Sequence, residues 1–123
     1  MPTINRKIQV LLIENNATSQ KVVKLLLETL CECDVELVSN LQSALGCLEK
    51  DYDIIFTDIY LPDGDGETFI QKYHAKHPTI PIVAMGTYIT NAKILLNAGA
   101  VAVLRKPISS HLFKELIETF IPR

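Results

Sequence analysis

The sequence predicts an α/β domain built on a doubly wound parallel sheet. Five short apolar runs alternate with five segments of helical periodicity, which is the pattern of repeated strand–helix units. Three of the runs are almost continuously apolar at their centres, as in strands that helices cover on both faces. The length of 123 residues suits one hydrophobic core, so we expect a single domain over residues 1–123.

The strands are predicted first, from the position of the apolar runs. They are residues 7–13, 34–39, 53–57, 81–85 and 101–104. The first, third and fourth contain the continuous apolar centres, so these three are expected in the interior of the sheet.

The helices are predicted between the strands and after the last one. They are residues 17–30, 41–50, 66–76, 90–98 and 109–120. In the first helix, Val22, Leu26 and Leu30 recur every four residues and so share one face. Right-handed crossovers leave few topologies for such units, and we predict the flavodoxin-like strand order 2-1-3-4-5 with five helices.

The charge balance argues against several classes of function. The formal net charge of -2 gives no reason to expect direct binding to nucleic acid or to an anionic membrane surface. No apolar stretch reaches the roughly 18 residues that cross a bilayer, and the N-terminus lacks a signal-peptide pattern. We expect a cytoplasmic chain, or a cytoplasmic part of a larger protein.

Several weaker motifs favour structural interpretations. Cys31, Cys33 and Cys47 lack a second ligand pair for a metal and are expected to be reduced thiols, partly buried. Residues 63–66, Asp-Gly-Asp-Gly, fail the EF-hand spacing and predict a turn. Residues 16–19 could cradle the phosphate of a flavin, but capping of the first helix explains them more simply.

The histidines also favour a structural interpretation. His74 and His77 have the i, i+3 spacing of a metal-binding pair, but they precede Pro78, where the helix should stop. We therefore expect them at a solvated helix end, and we expect His111 at the surface.

Polar residues follow three of the predicted strands. Asp58 ends the third strand, Glu14 and Asn15 follow the first, and Lys106 with Pro107 follows the last. Because the carboxyl ends of parallel strands share one edge of a sheet, these side chains should converge there. A cluster of acids that faces one lysine suits phosphoryl transfer onto a carboxylate.

These residues occur in an order that resembles the receiver domain of two-component response regulators, and the resemblance covers the whole chain. The residues that carry it are Glu14-Asn15-Asn16, Asp58, Leu61-Pro62-x-x-Asp65-Gly66, Gly99-Ala100 and Lys106-Pro107. The segment from Leu11 to Val22 looks most like receivers attached to hybrid sensor histidine kinases.

The resemblance implies a role for each site residue. Asp58 would be the phospho-acceptor, and Lys106 would pair with its carboxylate and then with the phosphoryl oxygens. Glu14, Asn15, Asp58 and the carbonyl of Tyr60 would hold Mg²⁺, which favours hard oxygen ligands. The Lys106–Pro107 peptide bond would be cis.

The resemblance also implies partners. These are a sensor histidine kinase or a histidine phosphotransfer domain. Receivers also dimerise through the face formed by the fourth helix, the fifth strand of the sheet and the fifth helix, and we expect such a dimer here. A receiver of this kind would not be an enzyme in the usual sense.

Three positions depart from the receiver pattern. Asn15 replaces a metal-binding acid, which removes one charge and should weaken Mg²⁺ binding by tenfold or more. Gly86 stands where receivers have a switch Thr or Ser, although Thr87 follows directly and could supply the hydroxyl. Val103 replaces the aromatic residue of the fifth strand.

Two interpretations of these departures stay open. In the first, the receiver is phosphorylated on Asp58 with an altered metal site and switch. In the second, it is a degenerate receiver that binds a protein partner independently of phosphorylation. A flavin-binding module is a more distant alternative, which a visible chromophore would reveal.

Overall fold

The computed structural model describes residues 6–122, which form a five-stranded parallel sheet flanked by helices. The strands, with a short pair that follows the third, are β1 Ile8–Ile13, β2 Cys33–Val38, β3 Ile54–Asp58, β4 Tyr60–Leu61, β5 Gly64–Asp65, β6 Ile82–Gly86 and β7 Ala102–Arg105. The helices are α1 Ala17–Leu30, α2 Leu41–Leu45, α3 Gly66–Lys76, α4 Ala92–Ala98 and α5 Ser110–Phe120.

The sheet has the predicted topology. Its order is β2-β1-β3-β6-β7, and every neighbouring pair is parallel. This is the order 2-1-3-4-5 when only the strands of this sheet are numbered. The flavodoxin-like prediction is therefore confirmed.

One local prediction was wrong and another was incomplete. The helix predicted over residues 41–50 ends at Leu45, and the chain continues in tight turns in which Cys47 N donates to Ala44 O and Leu48 N to Leu45 O. Gly46 at the end of α2 has a low intrinsic preference for continuing a helix. The turn predicted after β3 is present at residues 62–63, and it connects the strands of a short antiparallel hairpin, β4–β5, that was not predicted.

The core consists of two layers, one on each face of the sheet. Along β1, Val10 and Leu12 belong to the layer beneath α1 and α5, whereas Leu11 and Ile13 belong to the layer beneath α2, α3 and α4. This alternation follows from the two-residue period of a strand, and it explains why β1 must be apolar at every central position.

Each helix that follows a strand or hairpin begins with a short polar side chain. These side chains accept a hydrogen bond from a backbone N–H in the first turn, and the residues are Asn16, Asn40, Asp65, Asn91 and Ser109. Such caps fix where each helix starts. Because the strands' carboxyl ends feed these helices, the caps also define the sheet edge that carries the site.

The cysteines are free and buried, in agreement with the prediction of structural thiols. Among residues 6–122, no helix is long and apolar enough to cross a membrane.

Candidate functional site

Two acids and a lysine meet at the carboxyl edge of the sheet. Asp58 is the last residue of β3, Glu14 directly follows β1, and Lys106 directly follows β7. The Lys106 Nζ atom lies 2.6 Å from Asp58 Oδ1 and 2.6 Å from Glu14 Oε1. Residues that are 92 positions apart in the sequence are thus brought into direct contact.

Both acids are deeply buried. The exposed fraction is 0% for Glu14 and 3% for Asp58, whereas the Lys106 side chain is 21% exposed. Lys106 donates a hydrogen bond to Glu14 Oε2 at 2.9 Å. Apart from these contacts with Lys106, Glu14 Oε1 and Asp58 Oδ1 accept no hydrogen bond. Two buried carboxylates therefore share a single cation.

This arrangement moves the two carboxyl pKa values in opposite directions. Burial raises the pKa of Asp58 to about 7, the neighbouring Glu14 adds to the increase, and the contacts from Lys106 and Asn15 N–H oppose it. Burial alone would also raise the pKa of Glu14, but hydrogen bonds with Asp58 and Lys106 outweigh it and hold that pKa below its usual value. One negative charge is thus favoured over two, as expected for paired acids.

The other predicted site residues line a cleft above Asp58. The cleft has a volume of about 200 Å³, and its lining includes Asn15, Tyr60, Thr87, Asp58 and Lys106. The backbone N–H of Asn15 donates to Asp58 Oδ2 at 3.0 Å. All residues predicted for the site except Glu14 therefore border one cleft, and Glu14 contacts it through Lys106.

The oxygen atoms at this edge fit a Mg²⁺ ion. Glu14 and Asp58 each present a buried oxygen that accepts no hydrogen bond, and the Asn15 amide and the Tyr60 carbonyl are further hard donors on the same cleft. Over residues 6–122, no cluster of three or more Asp, Glu, His or Cys could hold a metal. The set thus contains two acids and an amide, the result of having Asn at position 15.

The family is shown by a match over most of the chain. The model of the response regulator receiver domain matches residues 10–118. The chain belongs to the response regulator receiver family.

The curated relatives that match this chain are longer proteins. A protein-glutamate methylesterase/protein-glutamine glutaminase of Hahella chejuensis is 34% identical over 113 residues, which are 85% of this chain and 30% of that protein. Transcription factor SKN7 of Saccharomyces cerevisiae is 33% identical over 110 residues, 87% of this chain and 18% of that protein. The chain spans less than a third of the length of either relative.

Solved structures share the fold over nearly the whole chain. A CheY-like receiver from Methanospirillum hungatei is 25% identical with a TM-score of 0.87, and the match covers 93% of both chains. The receiver of sensor histidine kinase PA1611 from Pseudomonas aeruginosa is 25% identical with a TM-score of 0.82, covering 94% of this chain and 98% of that one. A magnesium ion is coordinated in the active-site cleft of the latter structure.

Gly86 and Val103, two of the departures from the receiver pattern, lie next to apolar side chains. A Cβ atom at Gly86 would lie 2.7 Å from Ile59 Cδ1, so the Ile59 side chain occupies the room that a residue at position 86 would need. Val103 is half-buried and packs against the core layer beneath α2–α4. The Lys106–Pro107 peptide bond is cis, as predicted.

Three residues in or next to the β4–β5 hairpin have structural roles beyond forming a turn. A Cβ atom on Gly66 would overlap the Asp58 carbonyl oxygen, so the hairpin can close only with glycine there. Asp65 caps α3, a role signalled by its place just before a helical pattern. Asp63 accepts hydrogen bonds from Leu41 N and Gln42 N in the first turn of α2, and no local pattern could reveal these contacts, because 22 residues separate Asp63 from Leu41.

The prediction of a solvated site for His77 was wrong. Its side chain is 15% exposed, its ring stacks on Tyr73 with centroids 4.2 Å apart, and its Nε2 atom lies 2.8 Å from Leu48 O. The turns after α2 fold over the end of α3 and cover the ring. The same prediction was wrong for His74, which is half-buried against Gly99 with its Nδ1 atom buried. His111 is 81% exposed, as expected.

Proposed function

We propose that this receiver accepts a phosphoryl group on Asp58 in a histidine-to-aspartate phosphorelay. The contact of Lys106 with both Asp58 and the buried Glu14 carries the proposal. An Asp58 oxygen forms a bond to phosphorus while the phosphorus–nitrogen bond of a phosphohistidine breaks, and the histidine keeps the electron pair. The domain is a signalling acceptor rather than an enzyme, and we place it in the cytoplasm.

Charge neutralisation is the main requirement of this step. A carboxylate must approach an anionic phosphoryl group, and Lys106, 2.6 Å from Asp58, is placed to reduce the repulsion. The Asn15 N–H bond to Asp58 Oδ2 restricts rotation of the carboxylate. Thr87 borders the same cleft, and we propose that its hydroxyl serves in place of one at position 86.

A magnesium ion would supply further positive charge to the phosphoryl oxygens. Glu14, Asn15, Asp58 and the Tyr60 carbonyl would hold it, and the magnesium site of the PA1611 receiver supports this assignment. Because Asn15 lacks the charge of an acid, we expect weaker binding than in a site with three acids.

The donor would be a sensor histidine kinase or a histidine phosphotransfer domain. A cleft of about 530 Å³ opens beside Lys106 between α1 and the start of α5. On α1, the exposed fractions of Val22 and Leu25 are 51% and 60%. This apolar surface next to the acceptor supports docking of the donor on that side.

We also propose a dimer through the face formed by α4, β7 and α5. The exposed apolar side chains Ile94, Leu96 and Val101 lie on α4 or just before β7. Direct contact with nucleic acid or membrane is not part of the proposal, since the net charge of -2 offers no attraction.

A phosphorylation-independent binding module is the second candidate. Ile59 occupies the room beside Gly86, and Val103 stands where receivers have an aromatic residue, so two positions of the usual receiver switch are altered here. This observation favours a surface that is recognised regardless of the state of Asp58.

Intact-mass analysis after incubation with acetyl phosphate or phosphoramidate tests the proposal. It is run with and without Mg²⁺, with Asp58→Ala as the control. A single Mg²⁺-dependent phospho-adduct that the control lacks supports the phosphorelay. No adduct at any Mg²⁺ concentration overturns it and favours the binding module.

A further inference from the structure

The hairpin β4–β5 is held between two helices by two aspartates. Asp65 Oδ1 accepts a hydrogen bond from Thr68 N at 2.8 Å, which ties the base of the hairpin to α3. At its tip, Asp63 Oδ1 accepts from Leu41 N at 2.7 Å, and Asp63 Oδ2 accepts from Gln42 N at 2.9 Å. Both oxygens of Asp63 are thus engaged by the first turn of α2.

A second contact joins the same two elements. A Cβ atom on Gly64 would lie 2.5 Å from Leu41 Cδ2, so the tip of the hairpin packs directly on the residue whose N–H Asp63 accepts. Asn40 caps α2 separately by accepting from Ser43 N at 2.7 Å. The bonds to Asp63 therefore act mainly as a tertiary link, because the helix already has its own cap.

This link lies close to the site. Tyr60 pairs with Asp65, and Leu61 pairs with Gly64, so the hairpin has only two residue pairs to define its position. Such a short ladder is marginal by itself and needs outside contacts to hold one conformation. Tyr60 borders the cleft that contains Asp58, so a shift of the hairpin tip would move the Tyr60 carbonyl relative to Asp58.

We propose that Asp63 is a positioning residue that clamps the hairpin onto α2 and thereby fixes the Tyr60 carbonyl beside Asp58. The role of that carbonyl as a cation ligand rests on the proposed function, whereas the clamp itself does not. Supporting contacts of this kind around a metal site typically change metal affinity by about 10–100-fold when they are removed.

The test compares Asp63→Ala, Asp63→Asn and Asp34→Ala with the unmodified protein. Asp34→Ala is the matched control, because it removes one acid at the opposite end of the sheet, where Asp34 is 55% exposed and pairs with Lys7. The first readout is amide hydrogen exchange without added metal, and the second is Mg²⁺ affinity followed by backbone amide shifts.

We expect Asp63→Ala to increase exchange of the Gly66 N–H, which donates to Ile59 O at 2.7 Å, by about tenfold or more and to weaken Mg²⁺ binding by about tenfold. Exchange at Leu12 in the sheet should not change, which separates the clamp from general stability. Asp63→Asn keeps one acceptor oxygen and should fall between, whereas a purely electrostatic effect would make the Asn and Ala variants equal.

The outcomes distinguish the clamp from the proposed function. Unchanged exchange in the hairpin of Asp63→Ala overturns the clamp, whatever the Mg²⁺ result. Equal Mg²⁺ affinities for the Asn and Ala variants overturn the positioning role. If the unmodified protein binds no Mg²⁺ but the hairpin loosens in Asp63→Ala, the clamp stands and the proposed metal site fails.

Discussion

Two aspartates that bracket β3 have opposite environments. Asp53 precedes the strand, its side chain is 12% exposed, and it accepts hydrogen bonds from Gln9 N at 2.7 Å and from both Arg6 Nη atoms at 2.6 and 2.8 Å. Asp58 ends the strand, is 3% exposed, and has an oxygen that accepts no hydrogen bond. The two acids thus differ less in burial than in partners, because Asp58 shares Lys106 with a second buried acid, Glu14.

The pKa values follow the same division. Burial raises the pKa of Asp53, but the hydrogen bond and charge of Arg6 and the bond from Gln9 N–H outweigh it, and the net direction is down. At Asp58, burial and the nearby Glu14 outweigh Lys106, and the pKa rises. The first acid is stabilised as an anion by Arg6 and Gln9 N–H, whereas the second ionises less readily because it is buried beside Glu14.

The largest expected effect is the loss of Lys106. Lys106→Ala should slow the formation of the phospho-adduct on Asp58 by on the order of a hundredfold, because the buried acids lose their shared cation. The initial rate is followed by intact mass with acetyl phosphate and Mg²⁺. Lys72→Ala, an exposed lysine on α3, is the control. Equal rates for Lys106→Ala and the unmodified protein would remove Lys106 from the mechanism.

Asp53→Asn should act on stability instead. We expect a loss of about 1–2 kcal/mol in the free energy of unfolding at pH 7, because the charge-assisted bonds to Arg6 and Gln9 N weaken. Urea denaturation measures the loss. The rate of phosphorylation at saturating Mg²⁺ should not change. A large fall in that rate would show that Asp53 affects the site as well as the stability of the fold.

The pH dependence of this loss has a defined sign. Because the pKa of Asp53 is lower in the folded protein, its contribution is present above the unfolded value of about 3.9 and disappears as the pH falls through the folded value. The stability difference between Asp53→Asn and the unmodified protein should therefore shrink below about pH 4. A difference that stays constant down to pH 2 would show that charge is not its cause.

Asn15→Asp should strengthen the binding of Mg²⁺ beside Asp58. A third acid at the cleft adds a charged ligand, so Mg²⁺ affinity should rise by about tenfold. Amide shifts during a Mg²⁺ titration measure it, with Asn16→Asp as a neighbouring control. An unchanged affinity in Asn15→Asp would indicate that residue 15 is not a metal ligand.

The smallest expected effect concerns the packing of Ile59 beside Gly86. Gly86→Ser should cost about 1 kcal/mol in unfolding free energy, because the new Cβ meets Ile59 Cδ1. Combining it with Ile59→Val, which shortens that side chain, should recover most of the loss. Urea denaturation of the three variants measures the coupling. Additive costs would show that Ile59 does not limit position 86.

The main features of the fold and the polar residues at the sheet edge could be predicted from local signals. Continuous apolar runs such as 10–13 gave the interior strands, and the shared carboxyl edge of parallel strands brought Glu14, Asp58 and Lys106 together. The early end of α2 was missed because helical periodicity did not reveal the tight turns that follow Gly46. Asp63 was missed because its partners are 21 and 22 residues away in the sequence.

By itself, the sequence determined the class of fold and the residue types at the sheet edge, since both depend on periodicity and on where polar residues follow apolar runs. The handedness of crossovers narrowed the order of strands to a few topologies. Only the tertiary structure decided how these residues differ in environment. It assigned Asp53 to a network with Arg6 and Asp58 to a shared ion pair with Lys106. It also filled the space beside Gly86 with Ile59. Burial and hydrogen-bond partners are set by segments distant in sequence, and a local pattern does not contain them.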